Sequence, residues 1–291
     1  MQNARYSVCW FSRRPLAPIG RLAVRSLHTE LALTPKPGLV SPQDTGSHTD
    51  MDAGTFMRSL FALRGYFGDI TSAGASGAEL PDLQALGVAA ERRMLSATDG
   101  INTHRGAIFS LGLLAAATGW LIHRDRSPCG ARIGETVSRL WGSAILAATP
   151  RLRVGLSHGL TMARRYGAGG ARTEAALGFP TLFGIGLPTL RRTLGSTGSK
   201  RLALVQTLFS LMAVLDDTNL LYRGGRSGLD RVQASAREFL DAGGIYRPDW
   251  ERHALQIHRQ VVSQKLSPGG SADLLAASWF VHQVQRAYAW A

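Results

Sequence analysis

The chain has 291 residues, 45% hydrophobic and 18% charged, a balance that excludes intrinsic disorder and allows one large domain or two small ones. Its formal charge is +13 and 30 of its 33 basic residues are arginine, whose forked guanidinium matches phosphate and carboxylate oxygens, so a polyanionic ligand is expected. Cys9 and Cys129 are the only cysteines, which excludes a disulfide framework or zinc quartet and fits a reducing cytoplasm.

Residues 1–17 read as a basic N-terminal extension, and residues 18–291 as one helical catalytic domain with no clean internal boundary. Apolar periodicity predicts helices over about 18–33, 50–67, 82–97, 104–123, 131–148, 151–166, 172–178, 182–194, 200–223, 228–242, 247–265 and 272–289. No run alternates as a strand would, so the fold is predicted all-α. The apolar stretch 107–122 is shorter than the ~20 residues that span a bilayer and reads as a core helix, with no membrane partner. The arginines are scattered pairs, such as Arg92-Arg93 and Arg191-Arg192, without a basic run or aromatic interleaving, which argues against nucleic acid.

Between the helices lie loops that combine Gly or Pro with polar or charged residues. The first, from Thr34 to Thr49, carries Lys36 and His48, and Thr49 is expected to cap a helix whose first turn holds Asp50 and Asp52. In the second, Asn102 or Thr103 is expected to cap the apolar helix. With His104, Arg105, Gly100 and Gly106 beside the free N–H groups, this reads as a phosphate seat or as an ordinary capped turn. Glu174 follows a glycine run and is a candidate base only where the fold brings it to a ligand; His158 reads as a structural histidine.

Asp216 and Asp217 stand where the apolar helix from Leu202 runs out, at an end whose dipole opposes anions. If that helix continues to Gly224-Gly225, Asp216, Asn219 and Arg223 form one stripe. The stripe reads either as a buried Asp216–Arg223 ion pair or as a hard-cation site, with Mg²⁺ preferred for carboxylate oxygen. Near the C-terminus, Gly269-Gly270-Ser271 precedes Asp273, with Ser271 as the expected cap of the last helix; the turn suits an anion or a tight connection.

Five ordered blocks, ELALTPKPGLVSPQDTGSHTDMD, ATDGINTHRGAIFSLG, GARTEAALGFP, DDTNLLYRGG and LSPGGSADLLAA, span Glu30 to Ala277. Together the chain resembles the ATP:dephospho-CoA triphosphoribosyltransferases, and GSHTDMD is more similar to their malonate decarboxylase branch than to the citrate lyase branch. One departure is Asp99, where a glycine is expected before Gly100.

The resemblance implies that the 2′-hydroxyl of 3′-dephospho-CoA attacks C1 of the ATP ribose and adenine leaves. It also implies a product handed on to a carrier-protein transferase. On that chemistry, Asp216, Asp217 and Asp273 are assigned to Mg²⁺, and Asp50 or Glu174 to the base or the oxocarbenium stabiliser. Lys36, His48, Asn102, His104, Arg105, Arg223, Gly269, Gly270 and Ser271 are assigned to substrate and phosphate. The competing readings are a prenyl-chain synthase, a Mg²⁺-dependent ADP-ribosyl hydrolase and a basic, non-enzymatic helical module. Leu220 breaks the DDxxD pattern that the first requires.

Overall fold

The computed structural model describes residues 15–148 and 169–288. Among them there is no strand, and the all-α expectation holds. Residues 1–14 of the basic extension, the predicted helix 151–166 and His158 lie outside the described residues.

The centre is built from α1 (Ala17–Leu31), α3 (Tyr66–Ala75), α5 (Arg105–His123), α10 (Lys200–Met212) and α13 (Gly269–Ala287). Helix α5 is long and apolar enough to cross a membrane, yet 78% of its apolar window is buried inside the protein, as a core helix requires. Leu111 and Leu114 are fully buried, and each such side chain contributes about 1.5–3 kcal/mol.

Helix α2 spans Ala53–Leu63, and the predicted 50–67 helix therefore begins three residues late, capped by Asp52 rather than Thr49. Asp52 accepts the Thr55 N–H at 2.8 Å, and Thr55 completes a capping box. Helix α3 was not predicted, because its Gly- and Ser-containing sequence has weak intrinsic helicity. Close packing supports it instead: a Cβ on Gly74 would stand 2.1 Å from the Ala116 carbonyl, and one on Gly119 would stand 2.2 Å from that of Thr71.

Helix α4 covers Leu80–Ala97. The predicted 131–148 helix is α6 (Arg132–Val137), a π-helical turn (Ser138–Gly142) and α7 (Ser143–Ala147). After α8 (Gly170–Ala176), a second π-turn (Leu182–Gly186) leads into α9 (Leu187–Thr197).

The main departure lies after α10. The chain leaves the helix at Met212 and re-enters another, α11 (Thr218–Asp241), which is kinked at Gly225 where φ is 61°. Helix α12 (Trp250–Ser263) then leads to α13. The start of α11, the start of α13 and the start of α5 converge with the end of α1, and the 32–52 loop packs alongside them.

Candidate functional site

Asp217 does not sit at a helix C-terminus but at the N-cap of α11, where the dipole favours its charge. Its carboxylate accepts the Asn219 N–H at 2.9 Å and, from α13, the Ser271 N–H at 2.9 Å and the Ser271 hydroxyl at 3.2 Å. Ser271 therefore lies inside the last helix, which begins two residues before it, rather than capping that helix. Gly269 and Gly270 are required by close approach: a Cβ on Gly270 would come within 3.1 Å of the Asp217 carboxylate, and one on Gly269 within 2.7 Å of the Asn219 amide. The Gly-Gly-Ser turn thus cradles a protein carboxylate where a phosphate had been expected. Burial pushes the Asp217 carboxyl up, against the lowering effect of these N–H groups.

Asp216 is exposed and outside any helix, so the Asp216–Asn219–Arg223 stripe does not form; among the described residues Asp216 makes no ion pair. The carboxylate that joins Asp217 is Asp273, one turn into α13. It packs on the first turn of α5, where a Cβ on Gly106 would stand 1.9 Å from Asp273 Oδ2. Burial, then the charges of Glu30 and Asp217, hold the Asp273 carboxyl well above the usual range.

Glu30, at the end of α1, completes this polar interior and was not singled out from sequence. Lys36 pairs with it at 2.7 Å and also donates to the Glu30 carbonyl at 2.8 Å, both groups being buried. Lys36, expected on phosphate, is therefore committed to a carboxylate beneath the site. Burial pulls its ammonium down and Glu30 opposes this.

At the start of α5, His104 is buried and its Nδ1 shares a 2.6 Å hydrogen bond with the Ser59 hydroxyl of α2. Its ring meets Phe56 edge-on, with centroids 4.9 Å apart. Burial, aided by Lys36, pulls the imidazole down to about 3, so His104 is neutral and brings no positive charge to a phosphate. Asn102 accepts the Arg105 N–H at 3.1 Å, a capping role, and Arg105 donates to Glu91 at 2.6 Å. Asp99 has φ 54°, the left-handed conformation that makes glycine natural before Gly100 and that Asp tolerates.

His48 lies between Arg223, whose guanidinium donates to Nδ1 at 3.1 Å, and Ser267, 3.1 Å from Nε2. Because arginine only donates, Nδ1 is unprotonated and Nε2–H donates to the Ser267 hydroxyl. Burial and Arg223 pull His48 down to about 4. Arg223 also donates to the carbonyls of Ser47 and Lys265, at 3.1 and 3.2 Å. The two residues expected on phosphate thus tie the 32–52 loop to the segment before α13. His258 adds a second tie, donating from Nδ1 to the Lys36 carbonyl at 3.1 Å with Asp44 beside its Nε2 at 3.5 Å. Asp50, 60% exposed, stands 3.7 Å from His48 Nδ1, outside helix α2.

Glu174 accepts the Thr181 N–H at 2.8 Å, the Thr181 hydroxyl at 3.0 Å and the Leu182 N–H at 3.3 Å. Burial nevertheless pushes its carboxyl up. It caps the turn that opens the Leu182 segment. Ser59 and Ser267, like Glu30, were invisible as site residues, because an isolated Ser or Glu in a helix or turn carries no spacing signal.

The family model of the ATP:dephospho-CoA triphosphoribosyl transferases matches residues 16–291. A 2-(5''-triphosphoribosyl)-3'-dephosphocoenzyme-A synthase of Klebsiella pneumoniae is 41% identical over 88% of this chain and 87% of its own length. Probable synthases of the same name from Acinetobacter calcoaceticus and Vibrio cholerae are each 38% identical, over 92% and 91% of this chain and 91% and 88% of their own lengths. No solved structure matches the chain significantly. The chain therefore belongs to the ATP:dephospho-CoA triphosphoribosyl transferase family.

Proposed function

We propose that this protein transfers the triphosphoribosyl group of ATP to the 2′-hydroxyl of 3′-dephospho-CoA and releases adenine. Family membership supports the reaction. The burial of Asp273 within reach of the charges of Glu30 and Asp217, with the buried Lys36 paired to Glu30, is the observation that supports the site. Among the described residues neither Asp217 nor Asp273 stands beside a cation.

The donor set fits Mg²⁺: the oxygens are hard, and Asp273 is held in a cradle that a side chain at Gly106 would fill. Among the described residues no three His, Cys, Asp or Glu side chains could hold a metal ion by themselves, and Mg²⁺ commonly takes one or two carboxylates and completes its shell with water and substrate phosphates. Asp217 and Asp273 would hold it; Asp216 faces solvent. When bound, it would neutralise charge on the triphosphate.

The chain's own residues have separate tasks. Lys36 holds Glu30, and Arg223 with His48 holds the 32–52 loop over the site. Asp50 is the better-placed base for the attacking hydroxyl, since it is exposed, whereas Glu174 spends its oxygens on Thr181 and Leu182. The bond between C1 and adenine N9 breaks as the hydroxyl oxygen bonds to C1, and the hydroxyl proton balances the departing base.

The GSHTDMD form of the first block supports a role in the malonate decarboxylase system, with the product passed to a carrier-protein transferase in the cytoplasm. Incubation with ATP, Mg²⁺ and dephospho-CoA should release adenine without phosphate or diphosphate. Absence of adenine from the folded protein overturns the reading, and free ADP-ribose from a modified protein would point to a hydrolase instead.

A further inference from the structure

His104 has a feature that the transfer reaction does not yet use. Its Nε2 is buried and has no hydrogen-bond partner among the described residues, and the hydroxyl of the preceding Thr103 is in the same state. A buried polar atom without a partner destabilises the fold, so two in consecutive residues at the start of α5 mark a place where something polar is meant to arrive. The surroundings define what that is. The imidazole stands against the edge of Phe56, its backbone N–H meets the Met94 sulfur at 3.3 Å, and its neutral ring is a poor match for phosphate. With Ser59 Oγ–H donating to Nδ1, Nε2 carries the ring proton, and a flat, uncharged heterocycle with bare ring nitrogens is the partner that such a donor beside an aromatic ring suits.

We propose that His104 is a substrate-contacting residue that donates from Nε2–H to N7 or N3 of the ATP adenine, the ring nitrogens beside the departing N9, and that Ser59 is its positioning residue, donating Oγ–H to Nδ1 and so fixing that tautomer. The proposal rests on the transferase reading and deepens it. As the C1–N9 bond breaks, its electron pair stays on adenine, and the ring nitrogens become more basic. A donor already aimed at one of them binds more tightly at that moment than in the bound ATP, which is the condition for lowering the barrier. No proton leaves His104; the proton that adenine finally carries balances the one lost by the attacking hydroxyl.

The test pairs substrate analogues with variants of the full chain. Wild type should turn over either 7-deaza-ATP or 3-deaza-ATP about tenfold or more slowly than ATP, the worth of one hydrogen bond strengthened in the transition state. Loss of a ring nitrogen also makes the base a poorer leaving group by itself, so the reading is the difference: in His104→Ala the same analogue should cost about tenfold less than in wild type, because the partner is already gone. A penalty equal in wild type and His104→Ala, or no penalty with either analogue, overturns the proposal.

Nitrogen-15 spectra of the labelled protein supply a reading independent of turnover: His104 should be the Nε2–H tautomer, and its Nε2 should shift on adding ATP. Ser59→Ala, a milder change, should release the tautomer and lower kcat with an unchanged KM for dephospho-CoA, and Ser59→Thr should restore both. An Nδ1–H tautomer in the wild type, or an Nε2 indifferent to ATP, overturns the proposal even if adenine is released. A wild type that releases no adenine overturns the transferase reading, while the spectra still decide the tautomer and the contact.

Discussion

Asp217 accepts the backbone N–H of Ser271 at 2.9 Å, so the helices that begin at Thr218 and Gly269 share one carboxylate cap. Asp217→Asn keeps the size but offers an amide N–H₂ where an acceptor is needed. It should cost about 1–3 kcal/mol of stability and abolish adenine release. Denaturant unfolding and an adenine assay check both effects; unchanged stability would show that the cap does not couple the two helices.

Asp273 should behave in the opposite way. Its folded carboxyl is held well above the ordinary value by burial and by Glu30 and Asp217. The native state therefore keeps its proton to higher pH than the unfolded chain does, and stability falls as pH rises from the unfolded value through the folded one. Asp273→Asn should be more stable than wild type at pH 8, lose that advantage near pH 4, and be inactive. Mg²⁺ should raise the Tm of wild type and leave that of Asp273→Asn unchanged; an equal rise in both would remove Asp273 from the cation site.

Gly106→Ala probes the same carboxylate from the other side. The new Cβ would stand 1.9 Å from Asp273 Oδ2, so the side chain must swing away while the α5 backbone stays in place. Circular dichroism should be unchanged and kcat should fall about tenfold or more, since a misplacement of about 1 Å can cost two orders of magnitude. A fully active alanine variant would show that the inward carboxylate position is not needed.

Lys36→Met should strand Glu30 as a buried charge. Losing one partner of such a pair costs about 3–5 kcal/mol. The double variant Lys36→Met, Glu30→Gln should recover most of that loss, and a double-mutant cycle by urea unfolding measures the coupling. Additive losses would mean that the 2.7 Å pair is not a coupled unit.

The two neutral histidines set the acid limb. His48 is pulled from 6.5 to about 4 and His104 from 6.5 to about 3. Between those values the unfolded chain binds protons that the native protein does not, so stability is full above about pH 6.5 and falls as pH drops towards 4. His48→Gln, which keeps a polar side chain between Arg223 and Ser267, should flatten part of that limb in pH-dependent unfolding. An unaltered limb would mean that His48 is protonated in the native state.

Much of the architecture was legible locally. The apolar runs of α5 and α10 and the Gly- and Pro-bearing loops are properties of consecutive residues. Helix α3 was not legible, because a glycine that lowers its helicity, Gly74, is what lets its backbone approach α5, and Gly20 of α1 gives the matching approach on the other side. The break at 213–217 was hidden as well: the apolar pattern runs through it, and nothing local shows that Asp217 caps a second helix by reaching a turn 54 residues further along.

The sequence by itself determined the family, because ordered blocks of residues survive as a linear pattern. Only the tertiary structure decided what each group touches. It turned Asp216 to solvent, brought Asp273 and Glu30 to Asp217, committed Lys36 to Glu30 and left His104 neutral with a bare Nε2. The reason is physical: charge, tautomer and hydrogen-bond state depend on burial and on neighbours distant in the chain, and these exist only once the helices have packed.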